Sequence, residues 1–219
     1  MKRYIIFGDT AFAERIYKYI CHEGLCKVLC FTNEKRFLTR ETVAGLDVVP
    51  FEELSERYDK KTFEILVCIG YADMNRLREK ICSMCKDAGY NLGTWISSTA
   101  TLYSHNIGEG CIIMPNVYVG PNCNIGIGNI IAACTCISHD NNIGNYNFIS
   151  SNVVFGGHSI VCNNSFIGLA CVIRDGISVN DYSLIGSATN LLSSTDSEGV
   201  YVGNPARKLK NKSSLSTKI

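Results

Sequence analysis

Long apolar runs are absent from this sequence. The opening MKRYIIF reaches Gly8 and Asp9 after too few apolar residues for a secretory core, and no later stretch suffices to cross a bilayer, so a cytoplasmic chain without a membrane span is expected. An excess of charge of one sign is absent too. Lys and Arg number 21 against 20 Asp and Glu, a formal net charge of +1, which removes the electrostatic case for a nucleic-acid partner. A small molecule or another subunit is the partner that this balance suits. Histidine is scarce, with four in 219 residues, so few side chains are available for proton transfer near neutral pH. Cysteine is the opposite case. Twelve would suit a disulfide scaffold in a short secreted chain, but without an export signal they read as reduced thiols. Cys82 and Cys85 form one CxxC and Cys134 and Cys136 one CxC, neither with a second pair at zinc spacing, and no metal is expected.

What is present is a period of six. Ile107, Ile113, Val119, Ile125, Ile131, Ile137, Ile143, Ile149, Phe155, Val161, Ile167, Ile173, Val179, Ile185 and Leu191 follow one another at that spacing, and all fifteen are large and apolar. At 46% apolar content such a run has a chance on the order of one in a hundred thousand. Glycine often stands next in the hexad, as at Gly108, Gly120, Gly126, Gly144, Gly156, Gly168 and Gly186, which suits a chain that turns every few residues. Short β-branched strands separated by corners imply a triangular coil of three hexads, hence a parallel β-helix of about five coils with the Ile and Val column inside. Cys111, Cys123 and Cys171 recur at one position of the hexad, where a small apolar side chain is wanted.

The N-terminal half reads differently. YIIF (4–7) is a buried strand running into Gly8, and AFAERIYKYI has helical spacing at Phe12, Ile16, Tyr19 and Ile20. KVLCF (27–31) and EILVCIG (64–70) are further strands, the latter followed by a helical pattern over 72–89 that stops at Gly89. Alternation of this kind implies a small parallel α/β sheet in residues 1–97, with the β-helix in 98–219 and a linker within 95–104. The turn GDTAFA keeps one glycine of a dinucleotide fingerprint, and Thr32 and Asn33 stand where an acid would close the second strand, so a redox dinucleotide is not expected. The amides at that helix start either hold a phosphate of a nucleotide-sugar or simply follow a glycine turn.

The hexads resemble those of the left-handed β-helix acyltransferases, and a small Rossmann-like domain placed before them is similar to the NeuD/PglD group of sugar acyltransferases. The resemblance implies the left hand, a homotrimer, and acetyl-CoA in the groove between prisms, along Gly157, Ser187, Ala188 and Arg207. It also implies that the first turn, Gly8, Asp9 and Thr10, binds a nucleotide-sugar, although Ala11 and Ala13 replace two glycines usual there. Asn33, Tyr71, Asn75 and Arg78 are further substrate candidates. A guanidinium suits a pyrophosphate, and Arg78 is otherwise a solvated helix residue.

Acyl transfer from a thioester needs a base for the nucleophile's proton. His22 and His105 read as surface residues, whereas His139 and His158 fall on the β-helix, where residues eighteen apart stack. Residue 157, eighteen beyond His139, is glycine, and its amide would lie one strand spacing from the imidazole. The resembled group carries a His-acid pair followed eighteen residues later by glycine, which implies His139 as base, Asp140 as its orienting acid and Gly157 as the oxyanion donor. A second histidine that some members carry nine residues after the base is Phe148 here. Asp140 stacks under His158, which is also compatible with a plain ion pair. The tail basic residues Arg207, Lys208 and Lys210 either approach CoA phosphates or belong to a frayed terminus, and 211–219 reads as disordered. The expectation is acetyl-CoA-dependent N-acetylation of a nucleotide-linked amino deoxy sugar in surface-glycan synthesis, with sugar O-acetylation or noncatalytic nucleotide-sugar binding as alternatives.

Overall fold

The computed structural model describes residues 1–218. Its first part is a five-stranded sheet in the order β3-β4-β2-β1-β5, built from β1 (Lys2–Phe7), β2 (Cys26–Asn33), β3 (Thr42–Val43), β4 (Leu46–Pro50) and β5 (Glu64–Val67). All neighbours run parallel except the β3/β4 hairpin, which the sequence reading missed. Helix α1 (Ala11–Glu23) buries Ala13, Ile16 and Ile20 and ends at Gly24, whose left-handed backbone lets its N–H return to the Ile20 carbonyl. A four-residue helix α2 (Leu54–Arg57) and helix α3 (Arg76–Asp87) complete this part. The helical pattern expected from residue 72 starts only at Arg76, because Asp73, Met74 and Asn75 all take positive φ. Cys82 and Cys85 are buried on α3, and burial pushes both thiols up, that of Cys82 to about 12.

The second part is a triangular prism. Two-residue strands pair in parallel at a spacing of eighteen residues, as in Tyr118↔Cys136↔Val154↔Val172, and form three flat faces. Fourteen of the fifteen periodic residues are buried in one internal column and Ile107 is partly buried, so the repeat reading holds. The corners are made otherwise than expected. None of the seven glycines that follow the core residues has positive φ; the left-handed residue comes two positions later, in columns such as Asn122, Asp140, His158 and Gly176. The glycines serve close approach instead: a Cβ at Gly108, Gly144 or Gly168 would stand 2.5–2.7 Å from backbone of the next coil. The cysteine position is likewise not merely small. Cys111, Cys123 and Cys171 donate to carbonyls fifteen residues on, as do Asn129, Asn141 and Asn147 at the equivalent places.

The supposed linker is in fact the first coil. Trp95–Ile96 and Thr101–Leu102 pair with Ile112–Ile113 and Tyr118–Val119. The tail is also ordered: Arg207–Ser213 runs antiparallel to Gly199–Val202, and Ser214 is buried with its hydroxyl on the Tyr182 carbonyl at 2.5 Å. This strand covers an edge that a parallel prism would leave open. Among the described residues no helix is long and apolar enough to cross a membrane.

The α/β part packs on the prism face whose outward residues are Ile112, Ile130, Phe148 and Phe166, in one core with Tyr4, Ile6, Ala13 and Ile16. The join is pinned by Arg78, which is fully buried on α3. Its guanidinium donates to the carbonyls of Gly128 (2.9 Å), Tyr146 (2.8 Å) and Asn147 (3.1 Å) on the prism and to Gly70 (2.6 Å) and Ile69 (3.3 Å) on the sheet side. Burial lowers its pKa to about 10, so it stays charged at neutral pH. Asn75, also buried, donates to the Ser165 carbonyl at 3.0 Å.

Candidate active site

Two sites stand out, at different edges of the prism. The first is the corner carrying His139. The pairing of Cys136 with Val154 and Ile137 with Phe155 brings residue 139 beside residue 157, the register expected from the period. The imidazole lies over Gly157, where a Cβ would meet its Cε1, Nε2 and Nδ1 at 2.6, 2.8 and 3.1 Å. Only glycine fits there. The side chain of His139 is half exposed, and Nδ1 is 2.7 Å from Asp140 Oδ2. A carboxylate at Nδ1 fixes the proton on that nitrogen and leaves the lone pair on Nε2. Asp140 adopts left-handed backbone, and its other oxygen accepts from Asn122 Nδ2 at 3.1 Å.

The bond to His139, then that to Asn122, holds the Asp140 carboxyl below its ordinary range. A depressed carboxyl keeps its contribution above the unfolded-state pKa and loses it only as pH falls through the folded one, so Asp140 stays ionised throughout the neutral range. Beneath the corner, buried Asn141 donates to the carbonyls of Ser138 (2.9 Å), His139 (3.2 Å) and Gly156 (2.9 Å) and accepts from Ser159 N–H (3.1 Å), fixing the two coils against each other. His158 stands edge-on to His139 with ring centroids 5.1 Å apart, its Nε2 4.0 Å from Asp140 Oδ2. His139, Asp140 and His158 offer ligand atoms within 4.8 Å of one another, two imidazoles and a carboxylate without a third histidine. One expectation meets a difference here. The Gly157 N–H is not free but donates to Asp175 Oδ1 at 2.8 Å.

The second site is a cleft of about 740 Å³ between the α/β part and the prism. Its aromatic wall is formed by Phe12, Tyr71, Phe148 and Phe166, with Phe148 stacked on Phe166 at 5.7 Å and Tyr71 edge-on to both at 5.0 and 4.9 Å. Thr10 just before α1, Arg15 one turn into it, and Ser150, Ser151 and Ser187 supply polar lining, with Ala11 between Thr10 and Phe12. Thr10, Tyr71 and Ser187 are therefore brought together.

The other candidates lie elsewhere. Arg78 and Asn75 belong to the buried join, which corrects both readings of Arg78: it is neither open to a pyrophosphate nor solvated. The Gly8 N–H is taken by the Thr32 carbonyl at 2.8 Å, and its φ of +117° with Cys68 O 3.0 Å from a Cβ position makes it a turn residue. Asp9 is buried and accepts from Asn33 Nδ2 at 2.9 Å, with its second oxygen unpartnered, outside the cleft lining. Ala188 sits on the cleft edge, in the corner column of Cys134, Asn152 and Ala170, and Arg207 is exposed on the closing strand. Sequence reasoning missed Arg15, although an arginine one turn into the first helix is where a ligand at the helix start would meet it. Phe148 and Phe166 were legible as an outward pair eighteen apart.

No family model matches the chain. Among solved structures it is similar to the acetyltransferase domain of PglB from Neisseria gonorrhoeae FA1090, with TM-score 0.84 and 21% identity, covering 95% of this chain and 100% of that one. It is equally similar to PerB from Caulobacter crescentus, solved with CoA and GDP-perosamine (TM-score 0.83, 21% identity, 95% and 98% covered). WeeI from Acinetobacter baumannii AYE follows at TM-score 0.65 and 16% identity, with 95% and 100% covered. At these identities the likeness establishes a shared fold over nearly the full length.

Proposed function

We propose that the protein transfers the acetyl group of acetyl-CoA to an amino group on a nucleotide-linked deoxy sugar, on a left-handed β-helix, in surface-glycan synthesis. The observation that carries this reading is the His139 corner: a half-exposed imidazole oriented by Asp140, with no partner at Nε2 among the described residues. The sugar amine attacks the thioester carbon, forming the C–N bond. Nε2 of His139 takes the proton that the nitrogen sheds, the tetrahedral intermediate collapses with rupture of the C–S bond, and the departing sulfur takes that proton from Nε2, so that CoA leaves as the thiol and the imidazole is restored. PerB, with CoA and GDP-perosamine bound, and the PglB acetyltransferase domain supply the chemistry that this fold accommodates in similar proteins.

The cleft supports a nucleotide-sugar. Aromatic rings suit a flat base and an apolar deoxy sugar, while the start of α1 and Arg15, which makes no ion pair among the described residues, suit a diphosphate. Within one copy the cleft edge and the histidine edge are separated by a whole prism face. That face carries exposed Tyr118, Val154 and Val172. A homotrimer that covers it would set the cleft of one copy against the histidine of the next, with acetyl-CoA between them. The expected result with acetyl-CoA is thiol release and a product one acetyl group heavier from nucleotide-linked amino sugars, and neither from their hydroxyl counterparts. Transfer to the hydroxyl compounds instead would make it an O-acetyltransferase, and no transfer to either would leave only binding.

A further inference from the structure

The corners of this prism cap one another in a regular way. A side chain in one coil accepts from the backbone N–H of the residue one coil earlier: Asn145 from Ile127 at 2.8 Å, Asn163 from Asn145 at 2.8 Å, Asp181 from Asn163 at 2.7 Å. The histidine edge follows the pattern once, where Asp175 takes the Gly157 N–H, and breaks it once. Residue 157 has no side chain to cap the His139 amide, and the imidazole occupies the space that a cap would fill. Gly156 and Gly157 are thus wedged between two functional groups. A Cβ at Gly156 would stand 2.3 Å from Asp175 Oδ1, and one at Gly157 would stand 2.6 Å from the ring of His139. Among the described residues the Asp175 side chain is tethered by this bond alone. Its residue is exposed and it makes no ion pair among the described residues.

We propose that Asp175 is a displaceable positioning residue of the acyl-transfer site, whose carboxylate holds the Gly157 N–H until the thioester carbonyl of acyl-CoA takes that donor in its place. This rests on the acyltransferase reading above. One N–H cannot serve two acceptors at full strength, and a carboxylate left beside a tetrahedral oxyanion opposes the charge that builds there. An exposed aspartate with a single hydrogen bond swings into solvent at small cost. Asp175 therefore competes with bound thioester and sets the apparent affinity for acyl-CoA; once it has left, the chemical step proceeds without it.

The test is the KM for acetyl-CoA, at saturating nucleotide-sugar, of the wild type, Asp175→Ala and Asp175→Asn. Alanine removes the competitor, so KM falls about three- to tenfold with kcat changed less than about twofold. Asparagine keeps an acceptor oxygen and stays near the wild type. An alanine variant that melts lower but keeps its KM, or whose KM rises, overturns the proposal. A second readout needs no variant: the ¹H–¹⁵N resonance of Gly157 in the intact protein, with CoA alone and with a ketone analogue of acetyl-CoA carrying methylene in place of sulfur. The ketone is expected to move this resonance, and CoA alone to leave it. If the ketone moves it while Asp175→Ala keeps the wild-type KM, Gly157 is the donor and Asp175 is only a structural cap. If it does not move, Gly157 is not the oxyanion donor, and the inference fails together with that part of the mechanism, whereas acetyl transfer by the wild type still stands on its own assay.

Discussion

Replacing His139 by alanine is expected to cut acetyl transfer by a hundred- to ten-thousandfold while Tm stays within about 2 °C of the wild type. Both halves follow from the same geometry. The ring is half exposed and lies over a glycine, so its removal opens no cavity and orphans no buried partner. The rate loss follows because no other base is so placed among the described residues: Asp140 is an anion committed to His139 and Asn122. His158 is the internal control. Its Nε2 is 4.0 Å from the shared carboxylate, and His158→Ala is expected to keep the rate within a few-fold. Thiol release followed on both variants, with melting curves alongside, checks this. Equal losses for the two histidines would mean that neither alone is the base.

Arg78→Met is expected to behave in the opposite way, destabilising the fold by roughly 3–5 kcal/mol, a fall in Tm of about 10 °C, before any effect on chemistry appears. The methionine approximates the buried stem but removes all five guanidinium contacts, three on the prism and two in the loop that carries Tyr71; the Asn147 carbonyl keeps the Ile130 N–H, and the other four lose their side-chain donor. Arg78→Lys keeps the charge but not the fork, and a single ammonium does not reach both sides of the join, so it recovers only part of the loss. Chemical denaturation monitored through Trp95, which lies in the core shared by the two parts, reads the change directly. A Tm within 2 °C of the wild type for Arg78→Met would show that the join does not depend on the guanidinium.

These two residues differ in how well the sequence announces them. The position of His139 relative to Gly157 was legible because a strict period of six transmits register over many coils without accumulated error. Arg78 was not, since arginine on a helix ordinarily faces water. Its place in the stripe with Ile81, Cys82 and Cys85, three, four and seven residues on, was the available signal, and it outweighs residue type. The first coil was hidden by a missing residue: Ile96 pairs with Ile113 at a separation of seventeen, so the period of six breaks before Ile107. The closing strand escaped because a short polar segment gains strand structure only from the edge that it covers. The Asp175 cap on Gly157 is a contact between side chain and backbone across coils, which apolar periodicity does not report.

The most direct test concerns the claim that one copy's cleft serves another copy's histidine. His139→Ala and Arg15→Ala, each poorly active alone, are to be co-expressed with different affinity tags and the mixed oligomers isolated. Every mixed cyclic trimer, whichever variant is in the majority, has one cleft in three intact and facing an intact histidine, so about a third of the wild-type turnover is expected to return. Mixed oligomers no more active than the two variants measured separately would contradict the shared site.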